Sequence, residues 1–177
     1  MRRLLLLAAA TLLAGCGGDD KADEPLPEVG AKLRLESPAF HQGGDIPTKF
    51  SCEGADVSPA LSWRGVPSGT RELALVMEDP DADGFVHWTV LGIAPRITRV
   101  REGRIPTAAV ETVNSFGDRG WGGPCPPEGD EPHRYVFALY ALKRELGLGR
   151  DASPDEVRTG LADAGLARGT LTGRLGR

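Results

Sequence analysis

Residues 73–88 read Leu73-Ala74-Leu75-Val76-Met77-Glu78-Asp79-Pro80-Asp81-Ala82-Asp83-Gly84-Phe85-Val86-His87-Trp88. The apolar run from Leu73 to Met77 predicts a strand buried on both faces. Three aspartates and a proline then end it abruptly. From Phe85 onward, aromatic and β-branched residues predict a second strand. Alternation on it sets His87 and Thr89 on one face and Val86, Trp88 and Val90 on the other. A buried strand that ends in acids beside a histidine is costly unless those groups are used, so Asp79, Asp81 and His87 are the first candidates for a site.

Working outward, residues 114–130 are dense in glycine and proline, including Gly122-Gly123-Pro124-Cys125-Pro126-Pro127. Such a long structured loop is usually functional. Pro132-His133-Arg134-Tyr135-Val136-Phe137 follows and opens another strand. Its alternation gathers His133, Tyr135, Phe137 and Leu139 on one face and Arg134, Val136, Ala138 and Tyr140 on the other. Upstream, Leu33 and Leu35 alternate with charges, and Ala60-Leu61-Ser62-Trp63 is a short strand before the turn Val66-Pro67-Ser68-Gly69. Residues 40–50, with Gly43-Gly44 and Ile46-Pro47, predict a turn and a short edge element. Ser153-Pro154-Asp155-Glu156 is a capping box that starts a short helix with Val157 and Leu161 on its buried side. Arg96, Arg99, Arg101 and Arg104 read as a solvated surface and receive no function. Short strands, 24 glycines, 14 prolines and a single helix predict a mainly β chain folded as a sandwich.

Asp79-Pro80-Asp81-Ala82 with His87-Trp88, and the Gly122 and Pro132 segments, resemble the two signatures of the phosphatidylethanolamine-binding protein family, in its bacterial Raf-kinase-inhibitor-like branch. Ser58-Pro59-Ala60-Leu61-Ser62-Trp63 and Ser37-Pro38-Ala39-Phe40 are also similar, and the resemblance runs from about Leu33 to the end. It implies a central antiparallel β-sandwich with a small C-terminal helix. It also implies a ligand pocket lined by Asp79, Pro80, Asp81, His87, Gly123, Pro124, His133 and Tyr135. Leu175 stands where the family carries an aromatic residue, which puts any ligand contact of that aromatic in question.

Imidazole N–H and phenol O–H groups donate to phosphate oxygens, a carboxylate orients a histidine, and loop N–H groups add donors. The expected ligand is therefore small and anionic or phosphate-bearing, such as a phospholipid head group. Inhibition or regulation of a partner kinase or protease, as in some family members, is the alternative. A hydrolase using His87 with Asp79 ranks below both, because no Gly-x-Ser-x-Gly or other nucleophile motif occurs. The expectation is thus a protein that is not an enzyme and takes no cofactor or metal. Residues 79–84 do spell Asp-x-Asp-x-Asp-Gly, but the twelfth position is Val90 and the flanks read as strands, which rejects an EF-hand.

At the N-terminus, Met1-Arg2-Arg3 precedes an apolar run over residues 4–13, too short to span a bilayer. It ends in Leu13-Ala14-Gly15-Cys16, which resembles the lipobox of bacterial lipoproteins. The expected organisation is a leader over 1–15, lipidated Cys16 with a flexible acidic tether over 16–30, and one domain over 31–177. Such a tether would hold the domain ~20 Å from a membrane anchor on the extracytoplasmic side of the cell envelope. The whole chain carries −4, and −6 once Arg2 and Arg3 are removed, which with no basic run excludes nucleic acid as a partner. Cys52 and Cys125 remain, an even number in an exported chain, and are expected to form a disulfide, two buried thiols being the alternative.

Overall fold

β4 (Glu72–Asp79) is buried along its whole length. The computed structural model, which describes residues 25–177, shows what covers it. A six-stranded sheet has the order β1-β9-β8-β4-β5-β7, formed by β1 (Ala31–Lys32), β9 (Gly165–Leu175), β8 (His133–Leu142), β4, β5 (Phe85–Ile93) and β7 (Val110–Glu111). All its pairings are antiparallel except β1 with β9. A second sheet of β2 (Arg34–Glu36), β3 (Leu61–Arg64) and β6 (Arg99–Val100) packs on one face. Helix α1 (Pro154–Ala164) packs on the other. The expected mainly β sandwich with one small C-terminal helix is therefore the fold.

Alternation along β4 and β8 feeds two cores. Leu73, Leu75, Met77, Tyr135, Phe137 and Leu139 meet Leu35, Leu61, Trp63 and Val100 of the small sheet. Ala74, Val76, Ala138, Tyr140 and Leu142 meet Val157, Leu161 and Ala164 of α1. The capping box forms as expected: Ser153 Oγ accepts from the Glu156 N–H, and Glu156 Oε2 accepts from the Ser153 N–H. Residues 43–46 are the expected edge element; the Gly43 and Ile46 N–H groups donate to the Thr172 and Arg174 carbonyls on the flank of β9.

Two expectations need correction. The alternation assumed for β5 breaks at His87. Met77 pairs with Trp88, but Glu78 pairs with Val86, so His87 is the extra residue of a β-bulge. Val86 consequently joins the α1-side core while Trp88 and Val90 stay in the other. Thr89, opposite Val76, shares the α1 face, whereas His87 stands against Tyr135.

The expectation of a flexible tether over 16–30 is also corrected at its end, because residues 25–30 pack on the fold. Leu26 is 4% exposed in the α1-side core, Val29 rests on Gly165, and the Pro27 carbonyl accepts from the Tyr140 hydroxyl at 2.8 Å. Glu28 pairs with Arg168. This strap covers Glu78, whose carboxyl is pushed up by burial against the pull of Arg168 and Arg158. The expected leader, Cys16 and the rest of the expected tether, up to residue 24, lie outside the described residues. Leu26→Ala is expected to lower unfolding free energy by about 2 kcal/mol in a urea titration; a side chain in a free tether would leave the midpoint unmoved.

Candidate functional site

The site begins where β4 stops. Asp79 is 2% exposed and uses both carboxylate oxygens. Oδ1 accepts the Asp81 N–H at 2.9 Å and so caps the 3-10 turn Pro80–Ala82, which opens on Pro80. Oδ2 accepts from His133 Nδ1–H at 2.7 Å, across the gap to the start of β8. Asp81 accepts the Arg134 N–H at 2.7 Å and its guanidinium at 2.5 and 3.0 Å. Those hydrogen bonds hold the Asp81 carboxyl down to about 2. On the exposed surface such a pair adds little stability, but it stitches the turn to β8 at the residue beside His133.

His87 is fixed by the glycine-proline loop. Its Nδ1 lies 2.8 Å from the Gly122 carbonyl, which only accepts, so Nδ1 carries the proton. The Gly122 N–H donates back to the His87 carbonyl at 3.0 Å. Burial pushes the imidazole below the usual histidine range, with the Gly122 carbonyl and Asp79 pulling the other way. The ring stands edge-on to Tyr135 at 5.3 Å and to Phe116 at 5.5 Å. Phe116, half exposed, also meets Phe85 edge-on at 4.6 Å and forms a lip on this side of His87.

Tyr135 lies between the two histidines, 5.3 Å from one ring and 6.4 Å from the other. It is fully buried, and its hydroxyl makes no hydrogen bond of good geometry, although the Asp79 carboxylate and the Cys125 backbone lie beside it. Burial and the charge of Asp79 push the phenol well up, so it remains a donor.

The loop wall rests on residues that sequence reasoning missed. Asp56 Oδ1 accepts from the Gly123 N–H at 2.9 Å and from Trp121 Nε1–H at 3.1 Å. A Cβ on Gly123 would fall 2.3 Å from that same oxygen, so only glycine fits. The Pro124 carbonyl accepts from the Cys52 N–H at 3.2 Å. Cys52 and Cys125 form the expected disulfide, with Cα atoms 5.5 Å apart across 73 residues. By chain entropy such a closure contributes about 4 kcal/mol. Buried Asn114 folds the approach to this wall, its Oδ1 accepting from the Phe116 and Asp118 N–H groups. Asp56 and Asn114 act through tertiary or loop contacts that no local pattern announces.

All eight expected pocket residues thus collect at one end of the large sheet. His133 keeps a partly exposed ring at the edge of a hollow of about 500 Å³, which Asp81, Arg134, Arg174, Asp130 and Glu131 also line. Among the described residues no three His, Cys, Asp or Glu side chains are arranged to hold a metal ion.

A family profile described as phosphatidylethanolamine-binding protein matches residues 36–176. The chain belongs to the phosphatidylethanolamine-binding protein family. The crystal structure of Escherichia coli YbcL, described as a new member of the mammalian family of these proteins, superposes with a TM-score of 0.79 at 33% identity, covering 83% of this chain and 99% of that one. The Chlamydia trachomatis family homologue CT736 gives 0.76 at 34% identity, over 84% and 99%. In sequence, a Mycobacterium tuberculosis protein named as a lipoprotein, LppC, is 39% identical over 94% of this chain and 91% of its own length. The sandwich, antiparallel except for β1, is shared with these two solved structures.

The buried His87 gives stability a signed pH dependence. Its folded proton affinity is below that of the unfolded chain, so below about pH 6.5 the unfolded state binds more protons and stability falls. Denaturant titrations from pH 7 to pH 5 are expected to show a steeper loss in the wild type than in His87→Gln. Parallel losses would mean that His87 is not buried neutral.

Proposed function

We propose that the chain is a lipid-anchored extracytoplasmic binding protein, not an enzyme. In this reading the pocket at Asp79, His87, His133 and Tyr135 takes a small anionic or phosphate-bearing group, such as a phospholipid head group. The observation that carries the reading is the Tyr135 hydroxyl, a buried donor that makes no hydrogen bond of good geometry, set between two imidazoles and beside the Asp79 carboxylate. An unsatisfied buried hydroxyl costs about 1–3 kcal/mol, which an incoming acceptor oxygen would recover. Both imidazoles have their Nδ1 protons committed, to Gly122 and to Asp79. Each Nε2 donates to an oxyanion only when its ring takes a second proton. Anion binding is therefore coupled to proton uptake and weakens as pH rises.

The non-enzymatic reading rests on the sequence, in which no nucleophile motif occurs. The anchor is supported by Leu13-Ala14-Gly15-Cys16 and by the lipoprotein naming of the mycobacterial relative. Among the described residues no helix is long and apolar enough to cross a membrane.

Calorimetry with inorganic phosphate and phosphoethanolamine at pH 5.5 and pH 8 tests the pocket. Affinity is expected to be higher at the lower pH. Losing one charge-assisted bond in His133→Ala should weaken binding about ten- to a hundredfold, and Tyr135→Phe about tenfold. Equal affinities in all three proteins would place any ligand elsewhere. Mass spectrometry of the membrane-extracted protein is expected to show acyl chains on Cys16, and Cys16→Ser to abolish them; an unacylated wild-type Cys16 would refute the anchor.

A further inference from the structure

A cavity of about 1090 Å³ lies between the small sheet and β9, and it shares no lining residue with the site above. Its floor is apolar, with Pro38, Phe40, Ala60, Leu61 and Leu171 along it. Its rim is basic, carrying Arg34, Arg99 and Arg101. The alternation of the small sheet produces this division, because Leu35, Leu61 and Val100 turn inward while Arg34, Arg64 and Arg99 turn out.

The positive charge on this face is incompletely answered. Arg34 and Arg64 sit directly opposite one another on β2 and β3, an unfavourable like-charge pair. One carboxylate, Glu36, serves both, at 2.6 and 3.7 Å. Glu102 is taken by Lys49. Arg99 and Arg101 form no ion pair among the described residues, in a chain whose net charge is −4. A planar guanidinium fork pairs bidentately with a carboxylate or a phosphate. An inorganic anion would satisfy the rim and leave the apolar floor unused, while a neutral lipid would use the floor and leave two cations unanswered.

We infer that this groove binds a single-chain anionic amphiphile, with the chain along the Phe40–Leu171 floor and the carboxylate or phosphate head at Arg99 and Arg101. The volume is ample for one small-molecule ligand. The site is independent of the pocket at His87 and His133, and its occupancy does not depend on that pocket's ligand.

The test is calorimetry on the full chain with dodecanoate, dodecyl phosphate, dodecanol and inorganic phosphate, all below micelle-forming concentrations. Dodecanoate or dodecyl phosphate is expected to bind at least tenfold more tightly than dodecanol or inorganic phosphate, and the tighter of the two identifies the head group. The surface double variant Arg99→Gln, Arg101→Gln should weaken the anionic amphiphile about tenfold or more, while His133→Ala leaves it unchanged. Dodecanol binding as tightly as both anionic amphiphiles, or an affinity unmoved in the double variant, overturns the proposal. A loss confined to His133→Ala overturns it too, by moving the amphiphile into the other pocket.

Discussion

The double burial of β4 is the constraint from which the rest follows. A strand covered by a sheet on one side and a helix on the other has no face on which to present polar chemistry along its length. Polar groups can be placed only where it ends. Asp79 is that end, and its two oxygens connect the turn after β4 to the histidine that opens β8. Neighbouring strands are thereby tied at the point where their backbone pairing runs out. The site is made from the termination of the sheet, and its rigidity comes from the same hydrogen bonds that satisfy a buried carboxylate.

The opposite wall has a different origin. Residues 122–125 form no regular structure, so their position depends on what they are tied to: the His87 ring and backbone, the Asp56 carboxylate, the Cys52 N–H and the Cys52 sulfur. Asp56 itself adopts a left-handed backbone at φ 49°, a conformation disfavoured for residues other than glycine and more often met in aspartate and asparagine. One wall is thus sheet-built and stiff by packing. The other is a loop held by His87 of β5 and by Cys52 and Asp56 of one distant turn.

Much of this was legible in the sequence because it depends on local pattern. The apolar run of β4, the two faces of β8 and the capping box of α1 each follow from periodicity or spacing. The residues that meet at this end of the sheet were legible through two motifs rather than through geometry. Leu26 was not: a lone leucine between two prolines in a polar stretch has no period, and only the exposed groove beside α1 explains its burial. Asp56 was not, because its partners Trp121 and Gly123 lie 65 and 67 residues away. The arginines at 99 and 101 looked like ordinary surface, since their neighbours Arg34 and Phe40 join them only in the folded chain.

The bulge at His87 puts the start of β5 out of phase with the stretch that follows it. Upstream of it, even-numbered Val86 belongs to the helix side, and downstream, even-numbered Trp88 and Val90 belong to the small-sheet side. Across residues 86–90 parity is thus a record of one surplus residue. Deleting it would remove this register shift and keep Val86, Trp88 and Val90 in the cores they already occupy, while the second shift, between Leu73 and Leu75 of β4, would remain. The ring beside Tyr135 is thus supplied by the one position that this stretch of the ladder skips.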